Sequence, residues 1–250
     1  MNIAIRTLPG AWMQLIRAQF LNLSRTPAYT LPTLLFPVMF YAFFGLLMIP
    51  GRAQFLLCTF ATFGVMGAAL FSFGIAIAME RAQGWMRLLR AAPAPISGVV
   101  TGKFVAAMLF ALAIVALMSV LAAGLGGVRL ATGQWLALAG VLAAGTLPFC
   151  LLGMALGLWL SPSAAPAVIN IVYLPLAFLS GLWVPASQFP AWLQAVAEWL
   201  PPYHLAELAL HVTGTRAGDW VWSAAVLAAY SITFAAAVAF GWRRLDGIRK

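Results

Sequence analysis

Charge is scarce in this chain. Of its 250 residues 8% are Asp, Glu, Lys or Arg, against roughly 25% in a soluble domain. With 64% of residues hydrophobic, that scarcity excludes an ordinary water-soluble fold and places the chain in the membrane class. Acid is scarcer still: five Asp and Glu stand against fourteen Lys and Arg, a formal net charge of +9. Such a surplus can mark nucleic-acid binding. Here the basic residues are scattered at the ends of apolar runs and form no soluble basic face, which argues against a nucleic-acid partner. Cysteine is nearly absent. Cys58 and Cys150 both sit inside apolar runs without metal-ligand spacing, so each reads as a packing residue. No GxxxxGKS/T, HExxH or GxSxG motif occurs, which excludes ATP binding through a phosphate loop and removes the common hydrolase signatures. Any energy-coupling module is therefore expected on a separate chain. No cleavable signal peptide is expected, since no short apolar core precedes a small-residue cleavage site.

What is present is a succession of apolar runs. Six, at about 30–49, 54–79, 104–127, 135–160, 167–184 and 220–241, each approach the roughly 20 residues that cross hydrocarbon as a helix. Only helices fit, because backbone groups in lipid must be satisfied internally and nothing alternates like a barrel strand. The expected fold is an all-α integral membrane domain over residues 1–250, with Pro32, Pro37, Pro148 and Pro175 as sites of kinks. Ahead of the first run, Ile5, Leu8, Trp12, Leu15, Ile16 and Phe20 recur near helical spacing, with Arg6, Gln14, Arg17 and Gln19 interleaved. Residues 1–27 thus read as a helix lying in the membrane interface. With the N-terminus inside, eleven Lys and Arg fall on the cytoplasmic side, and Arg52, Arg129 and Arg216 fall outside. That bias puts both termini in the cytoplasm.

Within the runs, Gly153 and Gly157 form a GxxxG pair, and Gly64, Gly67, Ala68 and Gly74 give the second run a smooth side, both reading as packing faces. Asn170 and Tyr173 are the polar members of the fifth run, and an amide in hydrocarbon needs a partner from protein or a cavity. The segment 185–217 lies outside yet is rich in Trp, Leu and Ala. It is broken by Pro185, Pro190 and Pro201-Pro202, with Ala191–Leu200 as one short helix and another starting at Tyr203. Too short to span twice, it is expected to dip into the outer leaflet and return. His204, Glu207 and His211 share one helical face there. Imidazole and carboxylate ligate zinc, but three ligands on one straight helix cannot easily surround an ion. A hydrogen-bonded face is the preferred reading, and no metal is expected. Glu198 reads as an interfacial carboxylate, either solvated or paired with Arg216.

Five of the nineteen charged residues fall between Met79 and Lys103: Glu80, Arg81, Arg87, Arg90 and Lys103. From Trp85 onward this stretch has two faces. Trp85, Leu88, Leu89 and Ala92 lie on one side and Gln83, Arg87 and Arg90 on another, until Pro93 and Pro95 stop the helix. Read from residues alone, 80–103 is a cytoplasmic loop carrying either a surface for a soluble partner or a connector resting on lipid phosphates.

Two motifs carry a family resemblance. ERAQGWMRLLRAAPAP resembles the E-R-x-x-G-T-x-x-x-L-x-x-x-P segment between spans two and three of type-2 ATP-binding cassette (ABC) exporter permeases. Trp85 stands where that pattern has Thr. LPLAFLSGLWVPASQFPAWLQAVAEWLPPYHLAELAL resembles the same family's fifth span, re-entrant outer helices and Pro-Tyr turn. The similarity covers essentially the whole chain and is greatest to the bacterial drug-efflux branch. It implies a permease of the bacterial inner membrane that pairs with a second copy of itself and with two ABC ATPase subunits, which would hold the ATP and magnesium; the permease itself would carry no cofactor. Glu80, Arg81, Gly84, Trp85, Arg87, Leu88, Leu89 and Arg90 would then form the coupling element. Phe60, Phe63, Phe71, Asn170 and Tyr173 would lie along the substrate path, with Phe178 and Leu179 near the outer gate. The implied activity is export of hydrophobic or amphipathic compounds by alternating access, and an apolar, aromatic path without ionisable groups suits such cargo better than ions. Export of a lipid-linked glycan or polysaccharide is the alternative within the family. An intramembrane enzyme using His204, Glu207 and His211 is the alternative of another class.

Overall fold

The structure, a computed structural model, describes residues 27–49, 51–84 and 96–247. The interfacial helix expected over 1–27 lies almost wholly outside them, as do Trp85, Arg87, Leu88, Leu89 and Arg90. Among the described residues every regular element is helical. In chain order these are α1 (Pro27–Phe40) with a π-helical continuation (Tyr41–Met48), α2 (Ala53–Ala82), α3 (Ile96–Gly124), α4 (Thr132–Ala144) and α5 (Thr146–Trp159). Then follow α6 (Ala165–Leu179), a short 3-10 turn (Ala186–Gln188), α7 (Ala191–Ala197), α8 (Pro201–Val212) and α9 (Trp220–Gly247). Four helices among the described residues are long and apolar enough to cross a membrane: Ala53–Ala82, Val100–Gly124, Thr132–Trp159 and Trp220–Arg243. The first and fifth apolar runs form shorter helices, Thr33–Met48 and Ala165–Leu179.

Helix α2 is the centre of the bundle. It is apolar on all sides, and Leu56 through Leu70 are buried without interruption, the pattern of a helix surrounded by others. Around it pack α5, α3, α1, α6 and α8. The contact with α5 is made by backbone. A Cβ on Gly157 would lie 2.6 Å from the Gly74 carbonyl oxygen, and one on Gly153 would lie 2.8 Å from that of Leu70. The GxxxG pair therefore does what its spacing suggested, letting two helices approach without intervening side chains.

The expected kinks take different forms. In the fourth run, Pro148 cannot donate to the Ala144 carbonyl one turn back. The helix breaks at Gly145, dividing α4 from α5, and Leu205 of α8 packs into the notch. In the first run Pro37 lies against Gly64, and the wider π-turns begin four residues later at Tyr41. The loop expected over 80–103 is shorter than the sequence suggests. Helix α2 continues to Ala82 and α3 already starts at Ile96, so Glu80 and Lys103 both lie inside helices, where they neutralise each other.

Side-chain contacts also show which ends meet. Gln54, at the start of α2, donates to the Thr213 carbonyl and to Thr215 Oγ1, both at 2.9 Å, and Gln134 at the start of α4 reaches the same carbonyl. At the opposite end, Arg81 meets the last residues of α5. Helices α7 and α8, of 7 and 12 residues, gather at the Thr213 end, with Pro201 and Pro202 in the first turn of α8 where their missing N–H groups cost nothing. Twelve residues rise only about 18 Å, so α8 cannot cross hydrocarbon. The close α2–α5 contact has a measurable consequence. Gly157→Ala should lower the stability of the detergent-solubilised protein by about 1–3 kcal/mol. Gly140→Ala, with nothing within 4 Å of its Cβ, should stay within about 0.5 kcal/mol of the parent. Chemical unfolding followed by tryptophan fluorescence distinguishes the two.

Candidate functional site

At the Arg81 end, α2 finishes on an acid–base pair with separate duties. Glu80 Oε1 accepts from Lys103 Nζ at 2.5 Å, with Lys103 only 7% exposed and Glu80 19%. A lysine this far from water needs its counter-charge, because a lone buried charge costs far more than the pair gains. Arg81 turns toward α5. Its Nη1 donates to the Leu158 carbonyl at 2.6 Å and its Nη2 to that of Leu160 at 2.7 Å. These are among the final carbonyls that a helix leaves without partners, and a cation there also meets the negative end of the helix dipole. Arg81 is thus a cap for α5. The sequence placed both residues in the coupling element by resemblance and gave no sign of these internal contacts. Gly84 ends α2 with φ +73°, a left-handed conformation that stops the helix without strain only at a residue lacking Cβ. The chain then leaves toward 85–95.

The aromatic residues assigned to a path are partly brought together. Tyr173 of α6 stacks on Phe63 (centroids 4.8 Å apart), meets Phe71 edge-on at 5.5 Å, and donates its hydroxyl to the Phe63 carbonyl at 3.1 Å. Its ring lies directly over Gly67 of α2. Phe60 joins the group through Phe40 and Phe44 of the first run. Phe60, Phe63 and Tyr173 are buried within this one chain, whereas Phe71 and Leu179 are half-buried. Asn170 and Phe178 are exposed, on a continuous stripe of α6 with Ala167, Ile171 and Leu174. Asn170 Nδ2 donates to the Pro166 carbonyl one turn back at 3.0 Å. Phe178 packs edge-on to Trp183 and against Phe189. The hydrogen bond from Tyr173 to the α2 backbone had no sequence signal beyond a hydroxyl in an apolar run.

At the Thr213 end, His204 and Glu207 take separate partners, while His211 on the same face has its buried Nδ1 without a hydrogen-bond partner among the described residues. His204 is buried, with Nε2 2.8 Å from the Glu198 carbonyl and Nδ1 3.2 Å from Ser223 Oγ of α9. The carbonyl can only accept, so Nε2 carries the hydrogen and Nδ1 accepts from the serine. Glu207 is paired with Arg216 at 2.5 Å, so Arg216 is taken by Glu207 and not by Glu198. No cluster of three metal-ligating side chains occurs among the described residues.

Burial lowers the pKa of His204 below its ordinary 6.5, against a smaller opposing pull from the Glu198 carbonyl and carboxylate. Burial raises that of Glu207, with Arg216 opposing. For His204, the unfolded chain takes up a proton first as pH falls. The stability it contributes is therefore present above 6.5 and lost as pH drops through the lower folded value. Glu207 acts with the opposite sign, its contribution complete at low pH and lost as pH rises.

Apolar helices packed around a buried central helix, with the charges of the long apolar helices near their ends, define a multi-pass membrane protein. The chain belongs to the ABC-2 type transporter family, whose model matches residues 10–213, more than four-fifths of its length. It is also 26% identical over 224 residues, 87% of this chain and 91% of the other, to the Bacillus subtilis (strain 168) protein named "Putative transport permease YvfS". A permease subunit of that family is therefore the class to which these sites belong.

Two measurements test the assignments of side-chain role. Arg81→Lys keeps the charge but not the two-pronged donor. It should destabilise the protein by roughly 1–3 kcal/mol, read by unfolding in detergent. Lowering pH from about 7.5 to about 5.5 should depress the thermal midpoint of the parent more than that of His204→Gln, which is neutral throughout this range.

Proposed function

We propose that this chain is the membrane-spanning half of an ATP-driven exporter of hydrophobic or amphipathic compounds, of the drug-efflux kind, working as a pair of permeases on two separate ABC ATPase subunits. The observation that carries the reading is the family match over residues 10–213, joined to the absence of any phosphate loop in the sequence. Both shorter apolar helices act as spans in this reading, giving six, with the Arg81 end in the cytoplasm of a bacterial inner membrane and α7 and α8 dipping into the outer leaflet. The second copy covers the exposed stripe of α6 and part of the first run, where Phe36, Met39 and Phe43 are also exposed. Substrate passes between the copies, meeting Asn170 and Phe178 at the surface, with Phe60, Phe63, Phe71 and Tyr173 forming the wall behind them and Leu179 beside the gate.

Energy enters through the segment from Glu80 to Arg90. Gly84 turns the chain out of α2, and Trp85, Arg87, Leu88, Leu89 and Arg90 meet the ATPase. Glu80 and Arg81 serve from within, tying the segment's base to α3 and α5. Movement of the segment is thereby delivered to three helices together, which alternating access requires. The test is reconstitution in lipid with the partner ATPase. The expected result is ATP hydrolysis stimulated by amphipathic compounds and their ATP-dependent transport, both abolished by Leu88→Asp or Arg87→Glu while the permease still inserts. Unchanged transport by both variants would sink the coupling assignment, and failure to recruit any ATPase would sink the exporter reading.

A further inference from the structure

Four acidic side chains are described in this chain, and three have protein partners. Glu80 holds Lys103, Glu207 holds Arg216, and Asp219 Oδ1 accepts from the Trp222 backbone N–H at 3.0 Å, at the start of α9. Glu198 is the exception. Among the described residues its carboxylate has neither an ion pair nor a side-chain hydrogen bond. It lies on the rim of a cavity of about 440 Å³ whose other walls include Trp199, Trp222, Tyr230 and Thr233. Such a volume is in the range of small-molecule sites. Trp199 and Trp222 are 74% and 60% exposed, so their ring faces are open to an occupant.

This arrangement is held in place by the backbone. The Glu198 carbonyl accepts from His204, and the Trp199 carbonyl accepts from the Tyr230 hydroxyl at 2.7 Å. Two consecutive peptide groups are thus fixed, one to α8 and one to α9, and the side chains of 198 and 199 are carried over the face of α9. Aromatic residues at a membrane boundary need no carboxylate among them. A carboxylate without a cation, bordered by three electron-rich rings, has the two attractions that a substituted ammonium group uses: charge opposite charge, and a positive face against aromatic π-clouds.

We propose that this cavity binds the ammonium head of an alkylammonium amphiphile, with Glu198 as counter-charge and Trp199, Trp222 and Tyr230 as the aromatic wall. The site is separate from the α6 path and does not rest on the export reading. Its ligand is defined by chemistry common to lipid head groups and free organic cations, and the experiment separates those sources.

The test uses the full chain in maltoside micelles, dialysed to equilibrium against radiolabelled dodecyltrimethylammonium. Saturable binding near one equivalent per chain is expected. Glu198→Gln should weaken it roughly fivefold to tenfold. Trp222→Leu should act similarly, whereas Trp222→Phe, which keeps a ring face, should retain most of the affinity. Equal binding by the parent, Glu198→Gln and Trp222→Leu would overturn the proposal. So would displacement of the cation by an uncharged dodecyl amphiphile as effectively as by unlabelled cation. Native mass spectrometry of protein taken directly from membranes identifies the source. Phosphatidylethanolamine retained by the parent and lost from Glu198→Gln supports a lipid head group as occupant; dialysis binding without such a difference supports a free organic cation.

Discussion

The backbones of α2 and α5 touch, and the rest of the bundle is arranged around that contact. Where Gly157 meets Gly74 and Gly153 meets Leu70, no side chain separates the helices. In lipid, where apolar surface gains little from leaving its surroundings, such close approach is a main source of attraction between helices. With α5 fixed against α2, its last carbonyls arrive within reach of Arg81, and the break at Gly145 opens the notch that receives Leu205 of α8. Helix α9 packs on α5 and α8 and remains mostly exposed. A single backbone contact thus orders one end of the molecule through Arg81 and the other through Leu205.

Much of the fold was legible because the membrane constrains both composition and length. The six apolar runs coincide with helices, and the segment after Ser180 breaks at the prolines that suggested it would. Hydropathy does not show where charged residues are absorbed. Lys103 reads as the edge of a loop, yet it lies inside α3, where it is neutralised by Glu80, 23 positions earlier in the chain. Nor does hydropathy separate a kink from a break. Pro148 marks the right place in the fourth run, but that the helix divides at Gly145, with Leu205 of α8 packed into the notch, is visible only in three dimensions.

Site residues were legible by type more than by role. The resemblance named aromatic residues of α2 and α6, and the structure brings Tyr173 against Phe63 and Phe71, but periodicity cannot tell a wall from a core, and Phe63 is buried. His204, Glu207 and His211 do share a helical face, as their spacing requires. Their partners come from elsewhere: Ser223 and the Glu198 carbonyl for His204, Arg216 for Glu207. Those partners follow from chain segments that return to α8, which no local pattern encodes.

The clasp between Glu80 and Lys103 also bears on how the intervening chain can behave. Bringing together the ends of a free loop of that length costs roughly 3 kcal/mol in chain entropy. Here the packing of α2 against α3 meets that cost before any ligand or partner arrives. The ends of the helices on either side are therefore already held together, joined by a part-buried ion pair. For the coupling proposed above, an ATPase would not first have to gather these two helix ends, so more of its binding free energy would remain to move the helices.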